Sequence, residues 1–241
     1  MTRVLVIDAV EYQPEEADRK LGGPAGWFGR ALALASEVEV LVAGTSDPRL
    51  AAHVAAADAL ILSGSPRDAW SDEPEVVTLL RTVRDLVDAG KPLFGVCYGH
   101  QVMARAAGGE VAPNPAGWEV GNTTVDLTPA GLACPLFQNV TSPLEVIESH
   151  QDAVLSRPWG STVLAGNAHT PIQALSYGPR QFSVQFHPEF TPEILRALWA
   201  ERRELLRGTV PFDLDARLDA VHATPHVTCL FRRFLELITP P

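Results

Sequence analysis

The sequence predicts an α/β fold: a doubly wound, mostly parallel sheet flanked by helices, with a smaller antiparallel β section and a C-terminal helical extension. Three observations carry this expectation. Residues 3–8 (RVLVID) and 93–96 are short apolar runs, the pattern of strands covered on both faces of a parallel sheet, and 38–43 and 59–63 read as strands between them. A helical segment follows each run, giving a β-α-β-α-β-α-β-α alternation up to Gly109. Sites in such folds form at the carboxyl ends of the strands. After Gly117 the pattern changes to short strands joined by turns, expected at 123–127, 144–148, 162–166, 172–177 and 181–186. These are expected to pair antiparallel and curl over one side of the site.

The elements follow in order. MTRVLVIDAV carries one positive charge and no clear cleavage site, so it reads as the first strand and not as a signal peptide. Residues 9–26 hold Pro14, Gly22, Gly23, Pro24 and Gly26 among acidic side chains; this reads as a long loop, a candidate cover for the site. A helix is expected over 27–35. Asp47-Pro48 offers a cap and a first-turn proline ahead of an alanine-rich helix to Ala57. Residues 73–88 set Val76, Val77, Leu80, Val83, Leu86 and Val87 on a stripe of helical period. The helix after Cys97 is closed by Gly108-Gly109. Thr191-Pro192 caps a helix to about residue 207, and helical segments at 213–221 and 225–237 finish the chain. One domain over 1–241 is expected, with 195–241 as a helical extension that is a lid, a dimer surface or additional core.

Two strand ends carry chemistry. The run PLFGV stops at Cys97, and YGHQ leads into a helix. A sharp strand-to-helix turn flanked by Gly95 and Gly99 is how a nucleophile is exposed at a strand end, and the helix N-terminus favours a thiolate there. Most free cysteines are merely small buried hydrophobes. The second strand end changes the balance: SVQFHPEF supplies His187 and Glu189, a base and its orienting carboxylate.

With GVCYGHQ followed by QFHPE, the chain resembles the class I (triad-type) glutamine amidotransferases, in which Cys, His and Glu hydrolyse a γ-glutamyl amide. The likeness runs from the first strand to about residue 195 and implies a flavodoxin-like amidotransferase fold without a cofactor. It implies Cys97 as nucleophile, His187 as base and Glu189 as orienter. LILSGSP at 60–66 and ESHQD at 148–152 extend it. From these the resemblance implies an oxyanion hole of the Ser65 and Tyr98 backbone N–H groups. Gly64, Gln101, Ser149, His150, Gln151 and Asp152 would hold the glutamyl group. GWEVG at 117–121 looks closer to stand-alone members such as γ-glutamyl peptidases; the glutaminase domain of GMP synthase is the other similar type. Three functions stay open: a glutaminase handing ammonia to a separate synthetase subunit, a self-contained γ-glutamyl peptidase, and a catalytically silent binding module. In the first two the substrate is a small molecule.

Composition excludes other classes. A net charge of −10 and no Lys/Arg cluster argue against nucleic-acid binding. The densest basic stretch, Arg202, Arg203 and Arg207, alternates with Glu201 and Glu204 and reads as a solvated helical face. No apolar run reaches membrane-spanning length. Cys97, Cys134 and Cys229 are too few and scattered for a disulfide framework, so a cytoplasmic location is expected. His100, His150 and His169 lack H-x-x-x-H or CxxC partners, so no metal is expected. A homodimer stays open.

Overall fold

The computed structural model describes residues 1–10, 21–33, 38–206 and 208–238. Five strands run parallel: β1 (Thr2–Asp8), β2 (Val38–Gly44), β3 (Ala59–Leu62), β4 (Leu93–Val96) and β11 (Gln181–Val184). The sheet then continues antiparallel through β10 (Ala174–Gly178), β9 (Thr162–Gly166), β6 (Glu119–Leu127) and β7 (Leu144–His150). The order is β2-β1-β3-β4-β11-β10-β9-β6-β7 in one nine-stranded sheet. The late strands therefore extend the main sheet instead of forming a separate cover, and the last of them pairs parallel with β4. A two-stranded sheet of β5 (Glu110–Pro113) and β8 (Asp152–Ser156) is additional to the predicted strands.

Helices cover both faces. On β1, Val4 and Val6 join one apolar cluster while Leu5 and Ile7 join another, the period-2 split of a strand buried on both sides. One face packs against α1 (Gly23–Leu32) and the last helix, α8 (Pro225–Ile238). The other packs against α3 (Pro74–Asp88) and α4 (Tyr98–Ala106), with α2 (Leu50–Ala56) at its edge. α8 is therefore core: Phe231 and Phe234 meet Phe94 of the central strand, each at a ring-centroid distance of 5.4 Å. The short α5 (Pro129–Ala133), α6 (Pro192–Leu206) and α7 (Leu214–Asp219) complete the described helices.

Two helix starts differ from expectation. α1 begins at Gly23, four residues early, because Gly22 at φ 80° and Pro24 in the first turn start a helix where they read as loop residues. The rest of the predicted loop, 11–20, and the end of that helix, 34–35, lie outside the described residues. Asp47 does not cap α2 directly; its carboxylate takes the Arg49 N–H at 2.7 Å in a turn ahead of the helix. Asp213 caps α7 as its spacing predicts, accepting from Ala216 N–H. Among the described residues, no helix is long and apolar enough to cross a membrane, and all three cysteines are free.

Candidate active site

The central strands place the site. β4 ends at Val96, level with Val184 of β11, and Cys97 N–H donates to Val184 C=O at 2.9 Å. Parallel pairing thus sets the residues after β11 beside those after β4. The turn at Cys97 is tight: φ 50° and ψ −103°, a sparsely populated region for a residue with a Cβ. Tyr98 opens α4, so its N–H is among those with no intrahelical acceptor.

His187 is buried beside this turn. Its Nδ1 lies 2.8 Å from Glu189 Oε1, and its ring stacks on Phe190 at 3.8 Å between centroids. Burial opposes the imidazolium, but the Glu189 carboxylate and the Cys97 sulfur outweigh it and hold the His187 pKa up at about 10. Gly64, after β3, closes the third side. A Cβ built there would lie 3.1 Å from His187 Cε1 and 3.6 Å from Cys97 Cβ. Its missing side chain lets thiol and imidazole share one space. Ser65 follows in the cleft wall. Among described non-glycine residues only Cys97 and Asn139 have positive φ, so Ser65 takes the place without strain.

Two lobes meet at Cys97, Ser65, Pro66, Ser149 and Arg202. The lobe on the His187 side is walled by Pro24, Trp27, Phe28, Phe190 and Leu198. The other is more polar, with Arg67, Asp68, Gln101, Gln151 and Asp152 in its wall. Burial, then the charge of Asp68, push the Asp152 carboxyl up to about 6 against a hydrogen bond from Trp70.

The predicted residues divide by what their polar atoms do. Gln101 Nε2 is committed within the chain, to Asp152 C=O at 2.8 Å and Gln185 Oε1 at 3.2 Å. Gln185 in turn donates to Cys97 Sγ at 3.6 Å; sequence reading passed it over, though a glutamine inside the apolar run SVQF was its signal. His150 belongs to the polar lobe's wall, yet both its ring nitrogens are engaged internally. Nδ1 faces Asp152 C=O at 3.0 Å, and Nε2 lies 3.2 Å from Glu119 and 3.3 Å from Glu148. It is therefore a pillar behind the Asp152 strand. Ser149 Oγ accepts from Trp199 Nε1 at 2.8 Å.

Arg202 departs from the expected solvated face. Leu195, Leu198, Trp199 and Arg202 follow the i, i+3, i+4, i+7 rule, and the first three are buried. Arg202 therefore extends the inward stripe of α6 to the junction of the lobes. Arg203, one residue on, pairs outward with Asp215.

Glu119, Glu148 and His150 bring three possible metal-ligand atoms within 4.8 Å of one another. Local spacing could not reveal this, because β6–β7 pairing sets Glu119 opposite His150. Burial opposes the Glu119 anion, but donation from His150, Asn167 and Thr170 outweighs it and holds the carboxyl down at about 2. Burial, then the Glu119 charge, push the Glu148 carboxyl well above the ordinary range. Burial lowers the pKa of His100 to about 3, and its Nδ1 bonds Ser183 Oγ at 2.7 Å.

A thiol on a strained turn, sharing a cleft with a buried imidazole–carboxylate pair, suits nucleophilic acyl transfer. Residues 29–202 match the family described as Glutamine amidotransferase class-I. The chain belongs to the class-I glutamine amidotransferase family. Within it, the chain is 35% identical over 160 residues to a glutamine-hydrolyzing GMP synthase of Aeropyrum pernix, covering 66% of this chain and 29% of that protein. It is 32% identical over 143 residues to gamma-glutamyl peptidase 5 of Arabidopsis thaliana, covering 57% of this chain and 56% of the peptidase. A glutamine amidotransferase structure from Methylobacillus flagellatus shares the fold at a TM-score of 0.80 and 24% identity, over 100% of this chain and 97% of that one. One from Thermotoga maritima does so at 0.74 and 18% identity, over 99% of each.

Proposed function

We propose that this amidotransferase-family chain hydrolyses the γ-amide of glutamine or a γ-glutamyl compound through a thioester on Cys97. The observation that carries the reading is the shared cleft of Cys97 and the His187–Glu189 pair, 2.8 Å apart, at the ends of adjacent parallel strands. Cys97 attacks the γ-carbonyl carbon as a thiolate. His187 holds the proton and delivers it to the leaving nitrogen, while Glu189 fixes the ring tautomer. The N–H groups of Tyr98 and Ser65 receive the oxyanion, each contributing a few kcal/mol. Water then frees glutamate. Gln101 and Gln185 act as a brace that holds the Cys97 turn to the Asp152 strand.

Glutamate release by the purified protein, offered glutamine and γ-glutamyl dipeptides in parallel, tests the reading. Release from neither substrate overturns it. A second reading, an ammonia-supplying partner of a separate synthetase, is favoured by the likeness to a glutamine-hydrolyzing GMP synthase. Weak glutaminase activity that rises on adding a synthetase-type protein would select it.

Asp152 gives the pH dependence its sign. If its carboxylate grips the substrate ammonium, binding needs the charged form, which exists above a pKa of about 6. The expected kcat/KM therefore falls as pH drops through about 6, about tenfold per unit. In Asp152→Asn that limb disappears and the plateau is lower. An acid limb at the same pH in Asp152→Asn would remove Asp152 from substrate binding.

A further inference from the structure

Arg202 is half-buried at the junction of the two lobes, and among the described residues its guanidinium makes no hydrogen bond or ion pair. Its neighbours on α6 use their charges: Arg203 pairs with Asp215, and Arg196 donates to the carbonyls of Leu218 and Val221. A second unused donor lies in the same lobe, the buried indole N–H of Trp27. Away from the Ser63, Ser65, Ser149, His187 and Glu189 side chains the lobe's wall is apolar, and it lies on the His187 side of Cys97, where the group leaving the γ-carbonyl must sit to collect its proton. Ammonia, the group that glutamine releases, would use neither an apolar wall nor a cation. An amino acid with an apolar side chain would use both. Its side chain fits among Trp27, Phe190 and Leu198, and its carboxylate supplies the anion that Arg202 lacks.

Resting on the hydrolase reading above, we infer that Arg202 is a specificity-determining residue. It binds the free carboxylate of the leaving residue, so that the preferred substrates are γ-glutamyl amino acids with a compact apolar second residue. The Cys97 Sγ–carbon bond forms as the γ-carbon–nitrogen bond breaks. His187 protonates the departing amine, and one water splits the thioester. The products are glutamate and the free amino acid.

The test compares kcat/KM for γ-glutamyl-valine, γ-glutamyl-valinamide and glutamine in wild type, Arg202→Gln and Arg202→Lys. The wild type is expected to prefer valine over valinamide by about 10- to 100-fold, the range of one charge-assisted carboxylate contact. Arg202→Gln should bring that ratio near 1, with a fall on γ-glutamyl-valine about tenfold greater than on glutamine. Arg202→Lys should keep part of the ratio. An equal fall on all three substrates would put Arg202 on the glutamyl half and overturn the inference. So would a wild type indifferent to the carboxylate. These results leave the hydrolase reading standing, whereas no turnover of any of the three defeats both.

Discussion

Cys97→Ala is expected to abolish glutamate release, by roughly 10⁴-fold or more, while the protein stays folded. Without a sulfur no thioester forms, and the oxyanion donors and His187 have no tetrahedral centre to serve. Turnover within tenfold of wild type would remove Cys97 as nucleophile. The same position makes a stability prediction that chemistry alone would not. A Cβ at φ 50° and ψ −103° costs about 1–3 kcal/mol, and glycine does not incur it. Cys97→Gly should therefore melt at or above Cys97→Ala, by about 2–4 °C for each kcal/mol of strain relieved. Calorimetry of the two variants decides it. A Cys97→Gly protein that melts clearly below Cys97→Ala would mean that the turn stores no strain.

Much of this site was legible because strand ends and chemistry coincide in the sequence. The apolar runs 93–96 and 181–186 read as strands, and each is followed at once by a reactive residue, Cys97 or His187. What spacing could not give was register. Only the pairing of Val184 with Val96 sets Gln185 beside Cys97. Only the pairing of β6 with β7 sets Glu119 opposite His150 and engages both of that imidazole's nitrogens inside the chain. Arg202 was misread for a different reason: the alternation of charges in the sequence suggested one solvated face, whereas Leu195, Leu198 and Trp199 set an inward stripe that Arg202 continues. The C-terminal helix read as an extension because its partners lie far away in sequence. Phe231 and Phe234 complete the core over Phe94.

A large loss of stability is expected from one methyl group next to the nucleophile, in Gly99→Ala. Gly99 lies in the first turn of α4 and donates its N–H to Ser63 C=O at 3.1 Å, which draws the helix against the end of β3. A Cβ there would fall inside the contact radius of the Leu62 carbonyl oxygen. That atom is backbone in a central strand and cannot turn aside as a side-chain end would. Alanine's better helix propensity returns at most about 1 kcal/mol, so the clash should dominate at about 3 kcal/mol of lost stability. This corresponds to a melting point lower by roughly 6–12 °C. The helix can relieve the clash only by moving off β3, and Cys97 is the residue directly before it. Activity should therefore fall further than the unfolded fraction explains. A variant that melts within 2 °C of wild type with full turnover would show that strand and helix have room between them, and that Gly99 does not fix the position of the thiol.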